Sequence, residues 1–186
     1  MTAAKLRRVA QRLRVPLGFV LAPLFLVFAR PTLPALVTGA VVATIGLLIR
    51  AWASGHLRKM AELTTSGPYA HTRNPLYLGT FLLVVGLSVA GGVWWLALTI
   101  AAAYLVIYVP VMIAEVETMR TLFPDAYDEW ARAVPLFAPR LTPAGSEAVR
   151  KVRFDGSLYL RYREYRAALG LLAVLGILVA KMMVMS

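Results

Sequence analysis

The 186-residue chain has no cysteine. Disulfides, thiolate metal sites and cysteine nucleophiles are thereby excluded. Histidine is almost absent too. His56 and His71 share no short metal-ligand spacing, and only Glu62 supplies a carboxylate between them, so no metal centre is expected. No Gly-x-Gly-x-x-Gly or other Gly-rich phosphate loop occurs, and no alternating strand pattern would carry one, which excludes a soluble dinucleotide-binding fold. A nucleotide-like cofactor would have to bind between helices. Acids are scarce as well, with 9 Asp and Glu against 20 Lys and Arg and a net charge of +11. The basic residues sit at the ends of apolar runs and no nucleic-acid motif accompanies them. They set topology and hold anionic lipid headgroups, at about 1 kcal/mol each near the surface.

What the chain does have is apolar length. It is 60% hydrophobic with a mean hydropathy of +0.70, the profile of a small all-α, polytopic membrane bundle formed as a single domain over residues 1–186. Apolar segments of roughly 15 to 22 residues suit the bilayer's requirement of about 20 per helix. They fall at 16–30, 33–53, 75–90, 93–113 and 167–184, about five spans. Gly91-Gly92 is the only break between the third and fourth, which predicts a tight helical hairpin. Pro110 near the end of the fourth either kinks it for packing or opens its backbone to a ligand. Residues 1–29 have the outline of a signal peptide, but in a polytopic chain they read better as an uncleaved first helix.

Lys5, Arg7, Arg8, Arg12 and Arg14 precede the first span, and Arg50, Arg58, Lys59 and Arg73 surround the second connection. The first connection has only Arg30 and the Gly91-Gly92 turn has no charge. The positive-inside rule then places the N-terminus and residues 54–74 and 115–166 in the cytoplasm, in a multi-pass protein of the cell (inner) membrane. The cytoplasmic helical segment between the last two spans is the expected catalytic region.

Side chains that can do chemistry collect on that side. In Gly67-Pro68-Tyr69-Ala70-His71-Thr72-Arg73-Asn74-Pro75-Leu76-Tyr77-Leu78-Gly79, Pro75 sets a helix start, Arg73 and Asn74 offer donors beside it, and Tyr77 carries into the apolar run a phenol that needs a partner. Glu115 follows Val111-Met112-Ile113-Ala114 at membrane depth, where an acid is costly unless paired or hydrated, and so is a functional candidate. Glu117 points elsewhere, toward Arg120 as an i,i+3 pair. Residues 124–132 form an aromatic amphipathic segment, and 141–166 end in a Tyr- and Arg-rich belt that precedes the last helix.

Gly-Pro-Tyr followed by Arg-Asn-Pro-x-Tyr-Leu-Gly resembles the signature of the isoprenylcysteine carboxyl methyltransferase and phospholipid methyltransferase superfamily, with Asn74 where His is commoner. The second family motif has its counterpart in Glu115, Val116, Met119, Phe123-Pro124, Tyr127, Trp130 and Val134-Pro135. The resemblance covers roughly residues 55 to 140, leaving 141–186 as an amphipathic segment plus the last helix. It implies an integral-membrane enzyme that transfers a methyl group from S-adenosyl-L-methionine to a lipophilic acceptor taken from the bilayer. Tyr69, His71, Arg73, Asn74, Pro75, Tyr77, Gly79, Glu115 and Tyr127 would then form the cofactor site, with Arg73 and Glu115 also catalytic. Val116, Pro124 and Trp130 depart from the pattern, and Trp130 lacks the tyrosine hydroxyl. Two other readings use the same scaffold: an NADPH-dependent sterol-type reductase, disfavoured by Pro75 and the Glu115 motif, and a non-catalytic lipid-binding membrane protein.

Overall fold

The structure, a computed structural model, describes residues 23–58, 62–147 and 152–185. Residues 23–28 are helical and lead to α1 (Leu33–Ser54), a 3-10 turn (Gly67–Ala70), α2 (Pro75–Ala90), α3 (Trp94–Leu122), α4 (Pro124–Ala133), α5 (Gly156–Arg161) and α6 (Tyr165–Met185). Among the described residues there is no strand, so the chain is the all-helical bundle that its hydropathy predicts. Its helix-start signals are local. Thr32 caps α1 by accepting from the Ala35 amide at 3.4 Å, and Pro75 opens α2 at a position where a missing N–H costs nothing.

Three helices, α1, α3 and α6, are long and apolar enough to cross a membrane, while α2 is apolar but has 16 residues. The expected first span at 16–30 lies partly outside the described residues. The fourth span does not end near 113. It continues as helix through Pro110 to Leu122, 29 residues in all, or about 44 Å at 1.5 Å per residue. A hydrocarbon core of about 30 Å cannot cover that length, so the last turns of α3, with Glu115, Glu117 and Arg120, reach beyond it. Val37, Val41, Ile45 and Leu48 form an exposed apolar stripe along α1, as expected where the surrounding solvent is lipid.

The closest helix packing joins α1 to α2. A methyl group on Gly39 would lie 2.3 Å from the Ala90 amide, one on Gly46 2.5 Å from the Gly79 carbonyl, and one on Gly86 2.3 Å from the Ala43 amide. Small residues at these spacings let the two backbones touch, which substitutes for the hydrophobic driving force that lipid does not provide.

Long-range contacts sort the connections into two ends. Arg30 donates its amide to the Gly91 carbonyl at 2.7 Å, and Lys181, late in α6, donates to the Leu26 and Val27 carbonyls at 2.6 and 2.9 Å. Gly92, at φ +74°, passes so close to the Arg30 carbonyl that a side chain would collide with it. The 3-10 turn, the start of α2, the end of α3, α4 and α5 therefore gather at the opposite end, which carries both sequence motifs.

Candidate active site

The first motif is held by a strap rather than left as an exposed loop. Residues 134–144, after α4, run along residues 70–74. The amides of Arg73, Arg140 and Ala144 bond the carbonyls of Pro135, His71 and Ala70 at 2.9, 2.9 and 2.8 Å. Thr72 donates its hydroxyl to the Phe137 carbonyl at 2.9 Å, Asn74 donates its side-chain amide to the Leu136 carbonyl at 2.9 Å, and His71 donates from Nδ1 to the Arg140 carbonyl at 2.8 Å. His71 is thereby tied to the strap and lies against Trp52 with ring centroids 6.0 Å apart, and the side-chain amide nitrogen of Asn74 is engaged by the strap.

α4 closes over the motif from its other side. Tyr127 is 3% exposed, and its phenol oxygen accepts from Nη1 of Arg73 at 3.1 Å. One helical turn later, Trp130 donates its indole N–H to the Tyr69 carbonyl at 3.2 Å. The indole thus supplies a donor of its own where the family pattern has a hydroxyl. Asp125 and Glu129 lie on the exposed face of α4, the inward-aromatic, outward-acid arrangement expected of a lid at a membrane interface. Tyr69 is itself buried. Burial pushes its phenol up from the ordinary range, and the nearby Tyr162, Glu115 and Glu164 add to that shift.

Arg73 is the unusual member. Its Nη1 is engaged by Tyr127, and its guanidinium lies 5.9 Å from the centre of that ring. Its Nε is buried and has no hydrogen-bond partner among the described residues. A buried donor left unmatched costs roughly 1–3 kcal/mol, so this nitrogen is suited to an oxygen that the chain itself does not provide.

The second motif meets the first through Tyr77, whose phenol donates to Oε1 of Glu115 at 2.8 Å. Tyr104 donates to the Tyr77 carbonyl at 2.9 Å, and Tyr108 stacks on Tyr104 with ring centroids 4.2 Å apart. Tyr104, Tyr108 and Glu115 recur at spacings of four and seven on α3, one helical face toward α2. Sequence reading missed the two tyrosines, although that spacing, counted back from Glu115, was available. It also mispaired Arg120, which bonds Asp128 at 2.7 Å rather than Glu117; Glu117 is exposed.

Gly79 lies at the interface of α1 and α2, where a side chain would lie 2.6 Å from the Gly46 carbonyl and 2.7 Å from Cγ of Arg50. Pro75 is fully buried at the start of α2 and acts through backbone geometry. Tyr69, Arg73, Tyr77, Glu115 and Tyr127 thus come together at one end of the bundle, with one cation and one carboxylate among phenols. A separate cavity of about 210 Å³ lies beside Gly67, lined by His56, Arg58, Glu62, Ser66 and Arg153 among others, and includes none of those five. Among the described residues no three of His, Asp and Glu gather so as to hold a metal ion.

The chain is similar to the nickel-cobalt-cadmium resistance protein NccN of Alcaligenes xylosoxydans xylosoxydans, 37% identical over 112 residues, covering 59% of this chain and 51% of that protein. It is also similar to the cobalt-zinc-cadmium resistance protein CzcN of Cupriavidus metallidurans, 34% identical over 139 residues, covering 69% of this chain and 62% of that protein. The chain therefore spans between half and two thirds of the length of these relatives. No solved structure matches it. The phospholipid methyltransferase profile matches residues 34–126, so the family region begins with α1, earlier than the two motifs suggest, and ends one residue before Tyr127. That match covers half of the chain, and the chain belongs to the phospholipid methyltransferase family, within the isoprenylcysteine carboxyl methyltransferase-like superfamily of membrane methyltransferases.

Proposed function

We propose that this chain binds S-adenosylmethionine at the end of the bundle that carries both motifs, and methylates a lipophilic acceptor drawn from the bilayer. The observation that carries the reading is that Arg73, with its unmatched Nε and Tyr127 of α4 against it, and the Tyr77–Glu115 pair lie at the same end of the bundle. The methionine part of the cofactor is a zwitterion, and a guanidinium and a carboxylate on one platform suit its two charges.

When bound, S-adenosylmethionine supplies a methyl carbon activated by a sulfonium. The protein's work is then positioning and exclusion of water. Arg73 presents a planar fork to a carboxylate, and Tyr127 restrains that fork. Glu115 holds an amino or hydroxyl group, and Tyr77 orients it through Oε1. Trp130 keeps α4 seated over Tyr69. Asn74 has no titratable proton, so a proton-transfer role at that position is not part of this reading.

Calorimetry of the detergent-purified protein tests it. The wild type should bind S-adenosylmethionine and not NADPH, and Tyr77→Phe should weaken binding while the protein stays folded. Unchanged affinity in both Tyr77→Phe and Arg73→Ala would sink the assignment. The acceptor can be sought by incubating a lipid extract with enzyme and labelled cofactor, followed by mass spectrometry.

The basic residues flanking α1 also support a cytoplasmic position for this end, in the inner membrane. Ser66 is buried, so the informative probe is a single cysteine at the exposed Ser146. It should be unreactive to an impermeant reagent in intact cells, and labelling there would reverse the orientation.

A further inference from the structure

A second polar cluster lies beside the site and is absent from both motifs. Arg50, one turn before the end of α1, donates from Nε to Glu164 at 3.1 Å and from Nη2 to both carboxylate oxygens at 2.9 and 2.7 Å. Its Nη1 bonds the Thr80 hydroxyl and faces the Leu76 carbonyl at 3.5 Å. Both partners of the ion pair are largely covered, with side-chain exposures of 21% and 12%. Glu164 stands in the turn between α5 and α6, outside the family-matched residues. Tyr162 pins that turn to the rest of the bundle through the Leu57 carbonyl at 3.1 Å.

Leu76 and Thr80 matter because they flank Tyr77 on the first turns of α2. Asn74 makes no side-chain capping bond to that helix, so the position of its start is set from outside. Arg50 fixes it from α1, with Thr80 relaying to the Leu76 carbonyl at 2.7 Å, and Tyr104 fixes the Tyr77 carbonyl from α3. Without Glu164, the Arg50 guanidinium would lose its carboxylate partner, and with it the restraint that directs Nη1 to Thr80 and the Leu76 carbonyl.

We propose that Arg50 and Glu164 are positioning residues for the Tyr77–Glu115 pair, so that the C-terminal segment, beyond the family region, sets how tightly the site holds S-adenosylmethionine. This rests on the reading that Tyr77 and Glu115 form part of the cofactor site. The pair does not touch the cofactor. It acts by holding the start of α2.

The test is calorimetric affinity for S-adenosylmethionine, measured well below the thermal midpoint on full-length protein whose circular dichroism and gel-filtration profile match the wild type. Glu164→Gln should weaken binding tenfold or more, and Glu164→Asp should recover most of the loss. Because an uncompensated Arg50 can unfold the protein, the double variant Arg50→Met, Glu164→Met is measured as well. Such apolar replacements of buried pairs are often well tolerated for folding, yet this one removes the Leu76 and Thr80 contacts and should still bind weakly. Wild-type affinity in folded Glu164→Gln, or in the double variant, overturns the positioning role. Absence of binding by the wild type overturns the cofactor reading itself, and the inference with it.

Discussion

Arg50 and Arg73 stand at the same end of the bundle and differ in what surrounds them. All three nitrogens of Arg50 face partners, Glu164, Thr80 and Leu76, from α2 and the turn before α6. Arg73 has one bonded nitrogen, Nη1 on Tyr127, and a buried Nε with no partner among the described residues. A saturated guanidinium ties elements together and has little capacity left for a ligand. An under-satisfied one carries a desolvation cost that an incoming anion would relieve. Basic residues at helix ends look alike in composition, and their satisfaction separates scaffold from site.

The comparison breaks most visibly at Arg50. Arg50→Met leaves the Glu164 carboxylate uncompensated and should lower unfolding stability by about 3 kcal/mol or more, measured as a fall in the thermal midpoint in detergent. A loss under about 1 kcal/mol would mean that the pair behaves as a surface ion pair, and the contrast with Arg73 would dissolve.

Arg73→Ala should do the opposite. It gives up one bond to Tyr127 and removes an unmatched donor, so stability changes little. Affinity for S-adenosylmethionine should fall ten- to a hundred-fold, about 1.5–3 kcal/mol for a charged hydrogen bond. Large destabilisation without an affinity change would reassign Arg73 to the scaffold.

Asn74→Ala sharpens the division at a smaller scale. The amide bonds the strap at Leu136, so its loss should cost about 1 kcal/mol of stability and leave cofactor affinity within a few-fold of wild type. A hundred-fold affinity loss would return Asn74 to the cofactor site.

The smallest effect belongs to Glu117→Gln. This acid is exposed and Arg120 is engaged by Asp128, so no more than a few tenths of a kcal/mol is at stake, and methyl transfer to a lipid-extract acceptor should be normal. Glu115→Gln removes the charge that Tyr77 orients and should abolish or strongly reduce that transfer. If the two variants exchange behaviour, the register of the second motif is wrong.

Some of the candidate site is legible without coordinates, for identifiable reasons. Tyr77, Glu115 and Tyr127 stand out in the chain alone, because an acid directly after an apolar run is conspicuous and the motifs mark the phenols; the structure pairs Tyr77 with Glu115 and Tyr127 with Arg73. The packing role of Gly79 against α1 is not legible, because a glycine needed for close helix packing looks the same in sequence as one needed to admit a ligand. Trp130 was undervalued, since its indole N–H serves where a hydroxyl was expected. The Arg50–Glu164 pair could not have been found: its partners are 114 residues apart and neither belongs to a motif.

By itself, the sequence determined the properties that depend on neighbouring residues and on transfer to lipid: the helices, the Gly91–Gly92 turn, and the gathering of both motifs at one end. Hydropathy and capping act over a few residues, so one chain suffices to read them. Only the tertiary structure decided which arginine is saturated, which carbonyls the strap engages, and whether a phenol meets an acid or a cation. Those outcomes depend on non-local approach, such as the 54 residues that separate Arg73 from Tyr127. A hydrogen bond is made or lost over fractions of an ångström that no local pattern encodes.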